Sequence, residues 1–229
     1  MVAVIGDIHG CYYTLVELYK KIVKKYPRIM VVTVGDMVDR GNHSRDVINF
    51  IIENNIKFTP GNHDYMFYHF FKEPSSVFAR SWLFNGSEST LESYEHYEND
   101  IFAHIDLISK APLYMDLDDC FISHAGVSKT YRKFLPNDYK DNLSVLEPMI
   151  IDDLKSDKGI LWNRDSLLDL GKLQVVGHTK QSQITVVEES NSWYIDTGAC
   201  VGNNLSAIIV HKNQFIESLE EKTQIKDII

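Results

Sequence analysis

Five short polar motifs, each placed directly after a run rich in β-branched residues, constrain this chain more than any other feature of its sequence. They are GDIHG at residues 6–10, GDMVDRG at 35–41, GNHD at 61–64, SHAG at 123–126 and GHT at 177–179. An apolar run that ends in such polar and glycine residues is typical of a buried strand followed by a loop. Because α/β folds assemble active sites at the carboxyl ends of their strands, the five motifs predict one convergent site.

The first half of the chain predicts a repeated unit of strand, loop and helix. Apolar runs at residues 2–5, 29–34 and 56–58 predict strands, and apolar residues at helical spacing follow the first two of them. Right-handed crossovers would place these strands in parallel, with their carboxyl ends on one edge. Residues 64–110 lack strand alternation and predict several short helices.

The second half of the chain predicts a second, β-rich sheet. Its short candidate strands, separated by turn residues, cover residues 120–123, 173–176, 184–188, 193–195 and 207–211. Neither a linker nor a repeat separates the two halves, so we predict a single domain over residues 1–229. The predicted class is α/β, or α+β, with two sheets.

Composition excludes several classes of function. The formal net charge of −9 argues against broad binding to nucleic acid, which requires a basic surface. The three cysteines show no CxxC spacing, so neither a disulfide framework nor a thiolate zinc site is indicated. The amino terminus has no signal-peptide pattern and no stretch is long and apolar enough to span a membrane. We therefore expect a cytoplasmic protein.

Six side chains of the motifs suit a pair of divalent metal ions. The candidate ligands are Asp7, His9 and Asp36 for one ion, and Asp36, Asn62, His124 and His178 for the other, with Asp36 as the bridge. This set of oxygen and nitrogen donors favours Mn, Fe, Zn, Co or Ni over a soft thiolate site. Two such ions would activate a bridging water for direct attack on phosphorus and would clamp the phosphoryl group.

Four further residues complete the predicted chemistry. His63 follows a ligand but has no ligand role, so it is the candidate general acid, and Asp39 would orient it and sustain its charge. Arg40 and Arg164 are the candidate holders of the non-bridging phosphoryl oxygens, since a guanidinium binds two oxygens at once. Together with the ligands, these residues predict a two-metal phosphoesterase.

Other features of the sequence have plainer interpretations. Cys11, Cys120 and Cys200 lack the arginine six residues on that a thiol phosphatase would carry, so packing is the predicted role of all three. The aromatic residues between 65 and 84 predict a packed helical layer rather than a platform on which bases stack. The basic residues between 129 and 133 predict a solvated loop face, with steering of a phosphorylated partner as the alternative.

The motifs resemble those of the phosphoprotein phosphatase (PPP) branch of the calcineurin-like metallophosphoesterases. The resemblance rests on GDIHGCY at residues 6–12, GDMVDRG, GNHD, WLFNG at 82–86, LWNR at 161–164, GHT and YIDTGA at 194–199. It implies a four-layer αββα sandwich, in which two mixed β-sheets are flanked by helices and the metal site lies at the carboxyl ends of strands. It also implies two metal ions, usually Mn in bacterial and bacteriophage members, and hydrolysis of phosphoserine and phosphothreonine in proteins and peptides.

The resemblance assigns the ten candidate residues the same roles that their chemistry suggests, with one departure beside them. Asp64 stands where protein phosphatases generally carry glutamate, whereas symmetrical bis(5'-nucleosyl)-tetraphosphatases tend to carry aspartate. Those nucleotide hydrolases, however, typically replace His9 by glutamine and Asp39 by alanine. The sequence therefore favours a Ser/Thr protein phosphatase, with such a nucleotide hydrolase as the alternative. A non-enzymatic binding module would show degenerate acid or arginine positions, and none is degenerate.

Overall fold

The strands of the protein lie at both ends of the chain, and most of its α-helices lie between them. The structure, a computed structural model, describes residues 1–228. The strands are β1 (Val2–Ile5), β2 (Met30–Thr33), β3 (Lys57–Phe58), β4 (Tyr114–Asp116), β5 (Phe121–Ser123), β6 (Gln174–Val176), β7 (Thr185–Val187), β8 (Ser192–Tyr194), β9 (Asn204–His211) and β10 (Gln214–Lys222). The helices are α1 (Tyr12–Lys25), α2 (Ser44–Glu53), α3 (Asn62–Lys72), α4 (Val77–Trp82), α5 (Glu88–Ser93), α6 (Glu98–Ser109) and α7 (Glu147–Asp152).

The first sheet joins the two ends of the chain in the order β10-β9-β1-β2-β3. β1, β2 and β3 are parallel, as predicted, while β9 is antiparallel to β1 and β10 is antiparallel to β9. The prediction that residues 207–211 belong to the second sheet is wrong, because β9 pairs with β1. An apolar strand that is buried on both faces fits either sheet, so its pattern does not reveal its partner.

The second sheet has the order β4-β5-β6-β8-β7. Its three central strands β5, β6 and β8 are parallel, and the two edge strands run antiparallel to their neighbours. Both sheets are therefore mixed. The edge strand β4 was not predicted, because its Tyr-Met-Asp sequence is short and only partly buried.

Three apolar layers separate the elements into helices, sheet, sheet and helices, which confirms the predicted sandwich of two mixed sheets flanked by helices. Ala3 and Ile5 of β1 face a layer that includes residues of α1, α2, α3 and α6. Val2 and Val4 face the other way, into a layer shared with Ile122 of β5 and further residues of the second sheet. A third layer packs the outer face of the second sheet against residues 127–170.

The helices between β3 and β4 in the chain also follow the prediction. Helices α3 to α6 occupy the segment for which short helices were expected, although α3 begins at Asn62, two residues earlier. The aromatic side chains of this segment largely pack together, with Phe67 and Trp82 fully buried. Nowhere in residues 1–228 is there a helix of the length and apolar character needed to cross a lipid bilayer.

Candidate metal centre and active site

The carboxyl ends of five strands meet where the two sheets come together, and they bring the predicted residues to one place. The loops after β1 and β2 carry Asp7 and Asp36, the first residue of α3 after β3 is Asn62, and the loops after β5 and β6 carry His124 and His178. Backbone contacts join the two sheets here, since the N–H of His178 donates to the Asp7 carboxylate at 3.0 Å. The ring of His124 likewise donates from Nδ1 to the carbonyl oxygen of Val34, after β2, at 2.9 Å.

Five of the predicted site residues hold a left-handed backbone conformation. They are His9, Asp36, Asp39, Arg40 and His178, with φ between 46° and 75°. A non-glycine residue in this region costs roughly 1–3 kcal/mol, and such residues cluster at functional sites. Backbone hydrogen bonds hold the conformation, for example from His9 N to Asp36 O at 2.8 Å and from Arg40 N to Gly86 O at 3.0 Å.

Each of the three candidate ligand histidines has one ring nitrogen committed to a backbone carbonyl. His9 Nδ1 donates to Val38 O at 2.9 Å, and His124 uses its Nδ1 in the same way. His178 instead donates from Nε2 to Trp162 O, at 3.2 Å. The remaining nitrogen of each ring therefore carries a lone pair, and such second contacts are typical of metal-binding histidines.

The lone pairs of His124 and His178 point at an acceptor rather than at a donor. Asn62 Oδ1 lies 3.0 Å from His124 Nε2 and 2.8 Å from His178 Nδ1, and no proton is available on either side, so these contacts are repulsive unless a cation draws both partners. His9 Nε2 lies 3.4 Å from Asp36 Oδ2 and is also approached by the guanidinium of Arg40. Two groups of side chains, His9 with Asp36 and His63, and Asp36 with His124 and His178, could each hold a metal ion. The donor set fits divalent ions, with Asp36 common to both groups.

Electrostatics in the cluster point the same way. Burial holds the pKa of His9 and of His124 below the usual range of histidine, and it lowers the pKa of His178 to about 3. The rings are therefore neutral, which is the form that binds metal. Burial, together with the nearby Asp196 and Asp36, raises the pKa of the Asp7 carboxyl well above its ordinary value. Carboxylates crowded in this way are stabilised by a cation.

His63 and Asp39 form the pair that the sequence predicted. His63 Nδ1 donates to Asp39 Oδ2 at 2.6 Å, and both side chains are buried. Burial alone would lower the pKa of His63, but Asp36 and Asp39 outweigh it and raise that pKa. The indole of Trp82 and the hydroxyl of Thr90 also donate to Asp39, at 2.9 and 2.8 Å. These last two contacts were not assigned from the sequence.

The two candidate phosphate-binding arginines approach the cluster from different loops. Arg40 donates from Nη1 to His9 Nε2 and from Nη2 to His63 Nε2, both at 2.8 Å, so its positive charge already satisfies two ring nitrogens of the site. Arg164 is exposed, and its Nη1 makes a long contact of 3.4 Å with His178 O. All ten predicted residues thus contact at least one other member of the set.

Two buried aspartates, Asp64 and Asp196, lie beside the ten predicted residues. Asp196 of the YIDTGA motif is buried near Asp7 and accepts from Gly198 N at 3.0 Å. Asp64 is fully buried, and its carboxylate accepts from the N–H groups of Met37 and Gly61 at 2.9 and 2.8 Å. Asp64 therefore fastens the second loop to the third instead of facing a substrate.

Comparison with known families agrees with this geometry. The model of the calcineurin-like phosphoesterase family matches residues 1–210, which include every candidate site residue. The chain belongs to the calcineurin-like phosphoesterase family. It is a metallophosphoesterase, a hydrolase that acts on phosphoester bonds, and the family uses a dinuclear centre of divalent metal ions.

Curated relatives within the family share one name. The asymmetrical bis(5'-nucleosyl)-tetraphosphatase PrpE of Anoxybacillus flavithermus is 30% identical over 229 aligned residues, which cover 90% of this chain and 88% of the relative. The protein of the same name from Bacillus cereus is 30% identical over the same shares of both chains.

A solved structure of this metallophosphoesterase fold shows the same architecture. The cold-active protein-tyrosine phosphatase of a psychrophilic Shewanella superposes with a TM-score of 0.69, covering 97% of this chain and 80% of the other. The two sequences are 19% identical, so the likeness concerns the fold alone.

Proposed function

We propose that this metallophosphoesterase hydrolyses its substrate by direct attack of water on phosphorus, with His63 as the general acid. The observation that carries the proposal is the hydrogen bond of 2.6 Å from His63 Nδ1 to Asp39, which leaves Nε2 facing Arg40 and the ligand cluster. When Nε2 carries a proton in place of its contact with Arg40, the imidazolium can give that proton to the leaving oxygen. An acid positioned in this way contributes about 10²–10⁴ in rate.

The other predicted residues would bind the metal ions and the phosphoryl oxygens. The proposed metal ligands are Asp7, His9, Asp36, Asn62, His124 and His178. Bound divalent ions, for which we propose Mn, would supply a water of lowered pKa and stabilise charge on the phosphoryl oxygens. Arg40 and Arg164 would bind the non-bridging oxygens. Arg164 is suited to this because it is exposed and, among residues 1–228, its guanidinium makes only one long hydrogen bond.

The first candidate substrate is a bis(5'-nucleosyl) tetraphosphate. The support is the shared name of curated relatives that are 30% identical over 90% of the chain. Asymmetrical hydrolysis would break a phosphoanhydride bond and release a nucleoside monophosphate and a nucleoside triphosphate, with the oxygen of water on the attacked phosphorus. Asp64 gives no reason to prefer symmetrical hydrolysis, since it is buried behind the site.

The second candidate substrate is a phosphoserine or phosphothreonine protein. It is favoured by the complete set of His9, Asp39, Arg40 and Arg164, which resembles the phosphoprotein phosphatase branch and bacteriophage lambda phosphatase in particular. The contacts of Asp39 with His63 and of Arg40 with His9 would serve either substrate, because both reactions need an acid and a holder for phosphoryl oxygens.

A direct comparison of kcat/KM on diadenosine tetraphosphate and on a phosphoserine peptide, both with Mn, separates the two candidates. We expect a higher value on the nucleotide, with AMP and ATP as the products. Two molecules of ADP would contradict asymmetrical cleavage, and a large advantage for the peptide would overturn the nucleotide assignment. Activity on neither substrate class in metal-replete protein would overturn the proposed function as a whole.

A further inference from the structure

A cavity of about 440 Å³ opens next to the predicted phosphate-binding Arg164. Phe78 and Trp162 line part of it, and its rim carries the positive charges of Lys155, Lys158 and Arg164 together with the negative charges of Asp157 and Asp165. This volume lies within the range of about 300–1,000 Å³ that is usual for small-molecule sites. The candidate roles given above leave this cavity without an occupant.

The aromatic part of the cavity is a preformed wall. The rings of Phe78 and Trp162 stack with centroids 5.5 Å apart and planes 29° apart. Tyr65 packs edge-on against both, at 5.2 and 6.4 Å, and the ring of His69 lies 5.3 Å from Phe78. Both wall rings are only half-buried, so each keeps a surface that another flat ring can cover.

The wall is joined directly to the metal ligands through one short stretch of chain. The carbonyl oxygen of Trp162 accepts from His178 Nε2, and Arg164, two residues further on, contacts His178 O. A substrate that places one phosphoryl group at His178 and Arg164 therefore lies beside the cavity, because Arg164 lines it.

The charges of the rim are not all neutralised within the protein. Lys158 forms ion pairs with Asp165 and Asp157. Across residues 1–228, by contrast, Lys155 has no hydrogen bond or ion pair, and it is exposed. In a chain of net charge −9, a free lysine that lines the same cavity as an aromatic wall and the candidate phosphate-binding Arg164 favours an anionic ligand.

We propose that this cavity binds the nucleobase of a nucleotide substrate, with the base stacked on the wall of Phe78 and Trp162 and Lys155 contacting phosphate oxygens outside the reacting group. The inference rests on the proposed nucleotide substrate and adds the residues that select it. Packing was the predicted role of the aromatic residues between 65 and 84, whereas Phe78 is only half-buried and Phe84 is 87% exposed.

A nucleotide fits these features better than an aromatic side chain of a phosphopeptide. The single phosphate of a phosphopeptide would bind at the metal centre, so no phosphate group would remain to contact Lys155. A polyphosphate carries charge from the centre towards the cavity and ends in a flat base. Stacking of a base on an aromatic side chain strengthens binding roughly 5- to 150-fold.

The test compares two non-hydrolysable ligands that differ only in the nucleoside. Calorimetric titration of the Mn-loaded protein with α,β-methylene-ADP and with methylenediphosphonate should show the nucleotide analogue binding roughly 5- to 150-fold more tightly. Phe78→Leu and Trp162→Leu should bring this ratio close to one. Phe134→Leu, a control at a phenylalanine that is 69% exposed and outside the cavity, should preserve it. In unmodified protein, free adenosine should displace the nucleotide analogue but not methylenediphosphonate, which gives a measure independent of variant folding.

A ratio close to one in unmodified protein, or a ratio retained in both ring variants, overturns the assignment of the cavity. These results are separate from hydrolysis of diadenosine tetraphosphate, which tests the proposed function itself. If the nucleotide is hydrolysed without a base-dependent ratio, only the cavity assignment fails. If the ratio behaves as expected but no nucleotide is hydrolysed, only the proposed reaction fails. If Phe78→Leu or Trp162→Leu raises KM for an aromatic phosphopeptide but leaves the ratio of the two ligand affinities unchanged, the cavity binds a peptide side chain instead of a nucleobase.

Discussion

His63 is held between a carboxylate and a guanidinium at opposite sides of its imidazole ring. Asp39 cannot turn away from it easily, because Trp82 and Thr90 also donate to that carboxylate. The pKa of His63 is raised by Asp36 and Asp39 against the effect of burial. A raised pKa keeps more of the ring protonated near neutral pH, and the protonated ring is the form that acts as a general acid.

We expect His63→Asn to lower kcat on an alkyl phosphate by about 10²–10⁴, because the alkoxide would then leave without a proton. On p-nitrophenyl phosphate, whose leaving group is a weak base, the loss should be much smaller. Steady-state kinetics on the two substrates measure the difference. The matched control is His96→Asn, at a side chain that is 86% exposed, and it should leave both rates unchanged. Equal losses on the two substrates would contradict the role of acid.

The end of β6 and the end of β1 lie so close together that Gly177 has no room for a side chain. A Cβ at this position would lie 1.8 Å from Asp7 Oδ1 and 2.7 Å from Val34 Cγ2. The contact joins one sheet to the other at the metal centre. A glycine at the end of β6 is therefore required by the position of Asp7.

We expect Gly177→Ala to displace Asp7, to weaken Mn binding at least tenfold, and to destabilise the fold by about 1–3 kcal/mol through overpacking. Calorimetric titration with Mn and urea unfolding measure the two effects. Gly202→Ala is the control, because its Cβ would come no closer than 3.4 Å to Ile228 and it strains only the backbone. That variant should lose stability without losing metal affinity. Unchanged Mn affinity in Gly177→Ala would contradict the role of Asp7 as a ligand.

Helix α6 carries a buried histidine that makes the stability of the helical layer depend on pH. His104 Nε2 donates to Asn49 Oδ1 at 3.2 Å, and its Nδ1 accepts from the hydroxyl of Tyr94 at 2.7 Å. Burial lowers the pKa of His104 to about 4. Between its ordinary value near 6.5 and 4, the unfolded chain binds a proton that the folded chain does not. The contribution of His104 to stability therefore falls as pH falls through this window.

We expect His104→Gln, which cannot titrate, to lose less stability than the unmodified protein between pH 7 and pH 4. The difference between their free energies of unfolding should change by about 3 kcal/mol over this window, in favour of the variant at low pH. Urea unfolding at several pH values, in chelator so that metal binding does not contribute, provides the measurement. Parallel pH profiles would rule out the buried neutral histidine as the cause.

An apolar layer joins the two sheets into one structure. The apolar layer between them contains Val4 and Val32 of the first sheet and Ile122 and Val175 of the second, all fully buried. This shared layer supports the single-domain prediction for residues 1–229, which stays a prediction. At the carboxyl ends of the strands the layer gives way to the buried carboxylates of the candidate metal centre, including Asp7 and Asp36.

We expect metal binding at this junction to stabilise the whole fold, since the ions would draw together ligands from both sheets. Mn at about 100 times its Kd contributes roughly 2.7 kcal/mol, which should raise Tm by about 5–10 °C in a chain of this length. Thermal unfolding with Mn and with chelator measures the shift. Asp36→Asn should abolish most of it, because Asp36 belongs to both groups of candidate ligands. An equal Tm with and without metal would contradict a metal site between the sheets.

Local patterns along the chain were enough for the parallel strands β1 to β3, for the short helices after them and for the list of candidate site residues. The reason is that each depends on neighbours in sequence: apolar runs predict buried strands, and a strand end predicts a polar loop. The sheet to which β9 belongs could not be predicted, because an apolar strand buried on both faces fits either one. The support of Asp39 by Trp82 and Thr90 joins residues 43 and 51 positions apart, and no spacing rule reaches that far.

The residue types of the site, and hence its chemistry, follow from the chain alone, since carboxylates, imidazoles and guanidinium groups after buried strands have few other uses together. Their arrangement depends on long-range packing. Only the approach of β6 to β1 sets His178 beside Asp7, and only the fold of the segment after α3 brings Phe78 against Trp162 next to Arg164. A reaction class can thus be inferred from which groups a chain carries, whereas substrate selection depends on the cavity that distant segments build around them.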